Sequence, residues 1–313
     1  MPAKTIFMFS GQGSQYYQMG MQLYQQDAVF RHWMNRLDAL ARDLSGRQVV
    51  ATIYGSPKTD VFGRLALTHP AIFMVEVALA RCLIAQGVEP DLTLGASLGS
   101  FAAAVIGGHM TMEDALAAVL HQAETVERLC EPGGMIAIMA DPALHAEAFL
   151  HERSDLAALN FGTHFAVSAR QADLAPIEAW LRQRELVHQR LPVGFAFHSR
   201  WIEAARQPVA AFMRSRPMSR GGLPLVCCEG ARTLAALPGD HVWQMVRNPI
   251  RFHDTVAHLE RSGPHRYIDV GPSGTLATFV KYGLPKASQS STHAILTPFG
   301  QDIRNLDALL AAA

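Results

Sequence analysis

The chain has 313 residues, 49% of them hydrophobic and 17% charged. That is the composition of a globular enzyme and excludes a disordered chain, and the length suits one large domain plus an insertion. Twenty-seven basic and 27 acidic side chains give a formal net charge of zero; without a long basic run, nucleic acid is not an expected partner.

Residues 1–9 hold one lysine and only a few apolar side chains before Ser10-Gly11-Gln12-Gly13, too little for a secretory signal. Within them, residues 5–9 are a short apolar run that stops at Gly11, the pattern of a buried parallel strand. Residues 70–86 carry apolar side chains at helical spacing, with Thr68 as the cap before Pro70. Residues 92–94 read as a second short strand, followed by Gly95-Ala96-Ser97-Leu98-Gly99, a helix over 101–105 and a capping box at 111–114 that opens another helix. Strands alternating with helices predict an α/β fold with a mainly parallel sheet. The middle of the chain differs: strand 133–140, helix 142–153, strand 165–168, helix 174–184 and strand 186–191 predict a small ferredoxin-like α+β insertion. The expected division is a core over 1–130 and 196–313 with the insertion over 131–195. After His198 the α/β pattern resumes and closes with a strand at 267–270, a turn at 271–274 and a further helix.

No apolar stretch is read as approaching the ~18 residues of a membrane span, so a membrane is not an expected partner. Cys82, Cys130, Cys227 and Cys228 follow no disulfide or metal spacing. They read as reduced, mostly buried thiols of a cytoplasmic protein, with no metal.

Gly95 to Gly99 has the glycine spacing of a nucleophile elbow, in which a strand enters a sharp turn, a serine occupies its tip and a helix leaves. A side chain at either glycine would crowd the turn. The N–H of Leu98, at the helix start, can then face a developing oxyanion. An inert serine in a tight strand–helix turn fits the same residues, and the strand before it and helix after it favour the reactive one. Ser97 needs a base. Among 14 histidines, His198 stands in the apolar run 194–198 where the chain leaves the insertion. A carbonyl holding one ring nitrogen leaves the other for Ser97. No acid occupies an obvious third position, so a Ser–His dyad is expected.

Together these residues resemble the malonyl-CoA:acyl carrier protein transacylase family, which includes the acyltransferases of fatty-acid and polyketide synthases. The resemblance runs through the chain in order: residues 9–15, Leu67-Thr68-His69-Pro70-Ala71, the elbow, Ala196-Phe197-His198-Ser199, Asn248-Pro249-Ile250-Arg251-Phe252 and Asp269-Val270-Gly271-Pro272. It implies a hydrolase-like α/β core with the small insertion, and a ping-pong reaction in which Ser97 takes an acyl group from a thioester and passes it on. It implies an oxyanion hole from the N–H groups of Gln12 and Leu98. The carbonyl holding His198 would come from just before Asn248, with Met245 as the candidate, and Asn160 would lie in a loop bordering the cleft. No cofactor is implied; the substrate would arrive on the phosphopantetheine of an acyl carrier protein or on coenzyme A.

Departures from that pattern bear on selectivity. Malonyl-specific members carry an arginine 25 residues after the serine, a position that here is Gln122. An amide cannot replace a guanidinium against a carboxylate, so a neutral acyl group is expected. Ala96 and Ser100 replace the usual histidine and glutamate around Ser97, and His69 the usual glutamine. The resemblance is greatest to the trans-acting acyl hydrolases of polyketide pathways, which implies hydrolysis of neutral acyl groups from carrier proteins. Loading of a neutral starter group onto a carrier protein and a generic serine esterase are the alternatives, with a non-catalytic docking protein disfavoured by the presence of both Ser97 and His198. Arg200, Arg206, Arg214, Arg216 and Arg220, with Arg251 and Lys281, are the candidate contacts for an acidic carrier protein.

Overall fold

The computed structural model describes residues 3–216, 218–237 and 241–312, so Met1 and Pro2 of the N-terminal stretch lie outside the described residues. The chain runs from β1 (Lys4–Phe9) through α1 (Met21–Gln26), α2 (Ala28–Ser45), α3 (Val49–Gly55) and α4 (Leu65–Ala85) to β2 (Leu92–Gly95), α5 (Gly99–Ile106) and α6 (Met112–Leu129). A second group follows, β3 (Gly133–Ile138), α7 (Ala148–Arg153), β4 (Asp155–Phe161), β5 (His164–Arg170), α8 (Gln171–Gln183) and β6 (His188–Arg190). The remainder is α9 (Arg206–Arg214), β7 (Arg220–Cys227), β8 (Arg232–Ala236), α10 (His241–Arg247), β9 (Ile250–Arg251), α11 (Phe252–Glu260), β10 (His265–Asp269), α12 (Thr275–Gly283), β11 (Ser291–Ala294) and α13 (Asp302–Ala311).

The main sheet has the order β11-β10-β1-β2-β7-β8 and is parallel except between β7 and β8. A central parallel strand is covered on both faces, and β1 obeys this: Ile6, Phe7, Met8 and Phe9 are all fully buried. The β1–β2 ladder continues past the strand ends, with Ala96 N–H donating to the Phe9 carbonyl at 2.9 Å. The chain therefore leaves both strands at the same sheet edge, where α/β proteins place their sites.

Helix α4 departs from expectation. It begins at Leu65 with Arg64 as its cap residue, and Pro70 lies inside it, so Thr68 is a buried helical residue and not a cap. The extra turn forms because Leu65 and Ala66 are buried and Glu127 Oε1 on α6 accepts the otherwise unpaired N–H of Ala66 at 3.2 Å. The full helix has 21 residues and contains an 18-residue window with a mean hydropathy of 1.5, so by length and composition it could cross a membrane, contrary to the sequence reading. Here 83% of that window is buried inside the fold, where α4 packs in the main core. The box at the start of α6 forms as expected, Thr111 Oγ1 accepting from Asp114 N–H at 3.0 Å.

The second sheet has the order β6-β3-β5-β4-β9. Strands β3 to β6, with α7 and α8 between them, give the ferredoxin-like βαββαβ succession and carry their own apolar cluster around Ile136, Phe165 and Leu181. The sequence reading lacked β4. Its segment Asp-Leu-Ala-Ala-Leu-Asn-Phe has two alanines and no β-branched residue, so strand propensity is weak and pairing with β5 decides its state. Strand β6 is confined to three residues, and the stretch read as one helix from 142 is a 3₁₀ turn followed by the short α7. The fifth strand, β9, comes from outside 131–195 and pairs parallel with β4 through Ala158↔Ile250 and Leu159↔Arg251.

Gly99, the first residue of α5, is pressed onto β1: a Cβ there would land on the Phe9 carbonyl and within 2.5 Å of the Ser10 carbonyl oxygen. Gly99→Ala should therefore destabilise the protein by about 1–3 kcal/mol, the usual range for overpacking, measured by chemical denaturation against wild type.

Candidate active site

The elbow is built as its glycine spacing implies. A Cβ on Gly95 would meet Ser100 Cα, so the strand can pass the helix start only as glycine. Ser97 itself lies in the left-handed region, φ 55°, and so does His198, φ 59°. Non-glycine residues held there are strained and persist only where surrounding contacts fix them.

Those contacts are explicit for His198. Its backbone N–H donates to the Val246 carbonyl at 3.1 Å. Ser168 Oγ donates to the Phe197 carbonyl, and Ser199 Oγ to the Ala196 carbonyl at 2.5 Å. The ring bridges two partners: the Ser97 hydroxyl lies 2.8 Å from Nε2, and Nδ1 lies 2.7 Å from the Asn248 carbonyl oxygen. A carbonyl only accepts, so Nδ1 carries the proton and Nε2 is the free base facing Ser97. Burial pushes the imidazole down to about 4; the Asn248 carbonyl opposes this and Arg247 adds to it. The ring is thus neutral near pH 7, the state needed to take a proton from a hydroxyl.

The carbonyl partner corrects the sequence reading. Met245 is buried in the main core, and it is Asn248 whose oxygen reaches His198. The cause is Pro249: a residue before proline avoids the helical region, so α10 ends at Arg247 and the Asn248 carbonyl turns away from the helix.

The loop after β1 lies against the elbow; a Cβ on Gly11 would be 3.0 Å from Ser97 Cβ and 3.1 Å from the Ala96 oxygen. Among the described residues, the backbone N–H groups of Gln12 and Leu98 make no hydrogen bond. The Gln12 side chain is held by His69, whose Nε2 lies 2.8 Å from Oε1. Burial pushes His69 down to about 3, so it too is neutral and donates from Nε2. Beneath the loop is a residue the sequence reading missed. Glu76 on α4 is completely buried and accepts from Ser10 N–H at 2.6 Å and Ser10 Oγ at 3.0 Å. Burial holds its carboxyl well above the ordinary range, the Ser10 hydrogen bonds opposing and Asp269 adding. A single acid within an otherwise apolar helical run was the available signal.

A cavity of about 500 Å³ opens over Ser97, lined by Ser97, His198, Gln12, Leu98, Gln122, Ala96, His69 and Asn160 among others. Gln122 projects from α6, 2% exposed, with Oε1 buried and lacking a hydrogen-bond partner. Ala96 lines the cavity with only a methyl group. Asn160 lies near the end of β4, not in a loop, and its amide contacts His164 Nδ1 at 2.9 Å. Ser100 is buried beneath the turn against Gly95 and is not part of the lining. No Lys, Arg, Asp or Glu lines the cavity among the described residues.

Two neutral buried histidines have a consequence for stability. Below about pH 6.5 the unfolded chain protonates both, while the folded chain resists until about 4 and 3. The unfolded state then binds more protons, so this contribution to stability is lost as pH falls from 6.5 toward 4. His69→Gln should make stability less acid-sensitive in that window, by up to about 1.4 kcal/mol per pH unit, in urea melts at pH 4.5, 5.5 and 6.5.

The family model for the acyl transferase domain matches residues 6–313. The polyketide biosynthesis acyltransferase homolog BaeD of Bacillus velezensis is 41% identical over 307 residues, covering 97% of this chain and 95% of that protein. PksD of Bacillus subtilis, likewise a polyketide biosynthesis acyltransferase homolog, is 38% identical over 309 residues with the same coverage. Among solved structures, the acyltransferase domain from the second module of the salinomycin polyketide synthase superposes with a TM-score of 0.89 at 28% identity, over 100% of this chain and 73% of that one. With the family model matching residues 6–313, the chain belongs to the acyl transferase domain family and is a serine enzyme of that family.

Proposed function

We propose that this enzyme hydrolyses neutral acyl groups from acyl carrier proteins of a polyketide pathway, through an acyl-enzyme on Ser97. The observation that carries the reading is the uncharged cavity: Gln122 stands buried where a carboxylate-binding cation would be needed, and no Lys or Arg lines the space among the described residues. Burying a malonyl carboxylate there would cost several kcal/mol, roughly, with no compensating cation.

In the first step Ser97 Oγ attacks the thioester carbonyl while His198 Nε2 takes its proton. The oxyanion is met by the N–H groups of Gln12 and Leu98. His198 then gives the proton to the departing thiol as the C–S bond breaks. In the second step water attacks the acyl ester, its proton passing to His198 and on to Ser97 Oγ as the acid leaves. The first step consumes a thioester presented on phosphopantetheine or coenzyme A, the second consumes water, and both use residues of this chain. Among the cations considered for docking, Arg200, Arg206, Arg216 and Arg251 pair with Asp155, Glu203, Asp114 and Asp254. Arg214, Arg220 and Lys281 have no ion pair among the described residues. Lys281 stands on α12, the helix whose Phe279 lines the cavity, which makes it the best placed to meet an acidic carrier protein.

The second reading, transfer of a neutral starter group to a carrier protein, is favoured by relatives named as acyltransferase homologs. One experiment separates the two. The enzyme is given carrier proteins bearing acetyl, longer acyl or malonyl groups, a second empty carrier protein and simple esters as comparators. Free acid in excess of transferred acyl supports hydrolysis; the reverse ratio supports loading.

Ser97→Ala should abolish acyl-enzyme formation by intact mass, and His198→Ala should leave only a slow residual rate from binding and oxyanion contacts. In the wild type, acylation should be independent of pH above about 5, one unit above the folded His198 value of about 4.

Gln122→Arg should raise malonyl acylation and lower turnover of neutral chains, because an unpaired guanidinium would then face them. The gain should be partial, since Ala96 and His69 also differ from the malonyl pattern. Acyl-enzyme formation from malonyl and acetyl thioesters, for both proteins, measures it; efficient malonyl loading by the wild type would exclude the neutral-acyl reading.

A further inference from the structure

Away from the cavity, three side chains bring together the donor set of a metal site. Cys227 ends β7, Glu229 lies in the following turn and His241 opens α10. A thiol sulfur, a carboxylate oxygen and an imidazole nitrogen from these residues all lie within 4.8 Å of one another. Cys227 Sγ and His241 Nε2 are 3.1 Å apart. Cys227 and His241 are buried and Glu229 is half-buried.

The chemistry of the set is selective. Magnesium and calcium take oxygen ligands almost exclusively, whereas sulfur with imidazole and one carboxylate suits a borderline-soft ion such as zinc. A tetrahedral zinc with Zn–S near 2.3 Å and Zn–N near 2.0–2.1 Å separates sulfur from nitrogen by about 3.5 Å. The observed 3.1 Å needs only a few tenths of an ångström of movement. Ligating carboxylates are characteristically held by an outer hydrogen bond, and one exists: Asn248 Nδ2 donates to Glu229 Oε1 at 2.8 Å. The thiol–imidazole hydrogen bond by itself accounts for the Cys227–His241 contact, but not for a carboxylate within reach of both.

We propose that Cys227, Glu229 and His241 bind one zinc ion, with water in the fourth position. The ion ties the end of β7 to the start of α10. The far end of α10 supplies the Val246 carbonyl that holds the His198 backbone, and Asn248, bonded to Glu229, supplies the carbonyl that holds its ring. Zinc would thus brace the segment that positions the base while lying outside the catalytic cavity.

The full chain, stripped with chelator, is titrated with zinc and separately with cobalt(II). The expected result is one equivalent of tightly held zinc, and a cobalt complex with a sulfur-to-cobalt charge-transfer band and four-coordinate visible bands. Cys227→Ser should lose that band and weaken zinc binding by about tenfold or more, while Cys228→Ser keeps both. Zinc should raise the melting temperature of the wild type but not of Cys227→Ser. Should Cys227→Ser fail to fold, alkylation mapping of the wild type replaces it: zinc should protect Cys227 and leave the other three cysteines unchanged. Failure to retain stoichiometric zinc, a cobalt band that survives Cys227→Ser, or alkylation of Cys227 unaffected by zinc overturns the proposal.

Discussion

The catalytic geometry depends on how closely the start of α5 approaches the end of β1. Gly99 rests on the Phe9 carbonyl, and Gly95 passes Ser100 with no room for a side chain. That approach is possible because β1 and β2 are parallel neighbours in register, Phe9 opposite Gly95. The chain must then turn sharply at Ser97, which takes up a left-handed conformation. The same approach lays residues 10–14 beside the elbow, with Gly11 against Ser97. The unpaired N–H groups of Gln12 and Leu98 are thereby brought to one cavity as a result of strand packing, before any side chain takes part.

The site is also organised by the absence of Lys, Arg, Asp and Glu from the cavity lining among the described residues. His198 and His69 are both buried and both held neutral. Each has its tautomer set by a fixed acceptor, a backbone carbonyl in one case and the Gln12 amide in the other. Glu76, the acid that holds Ser10, spends one oxygen on it and is pushed toward its neutral form by burial. In such a setting the dipoles of backbone amides act with little screening.

Short, local signals in the sequence carried much of this. The apolar run of β1, the glycines around Ser97 and the apolar approach to His198 are each constraints within a few residues, and the structure places all of them in one site. The Asn248–Pro249 pair was equally local, yet reading Met245 as the carbonyl donor overlooked how proline ends α10 and turns the preceding carbonyl outward. Glu76 was harder to interpret. Its hydrogen bonds cross 66 positions, and nothing near it in sequence says that a loop will close over α4. Strand β4 failed for another reason: its alanines carry no strand preference, and its conformation follows from β5 on one side and β9 on the other.

The pairing of β9 with β4 forms part of the cavity wall, through Ile250 and Ala158. The pair lies one residue beyond Pro249, next to the carbonyl that holds His198, and Arg251 N–H donates to the Cys228 carbonyl just after β7 at 2.8 Å. At the opposite edge of the small sheet lies β6, and there Gln189 and Leu191 form part of the cavity wall. Atoms beside Ser97 and His198 are thus anchored to a strand that comes from outside residues 131–195, whereas the β6 wall stands at the small sheet's other edge.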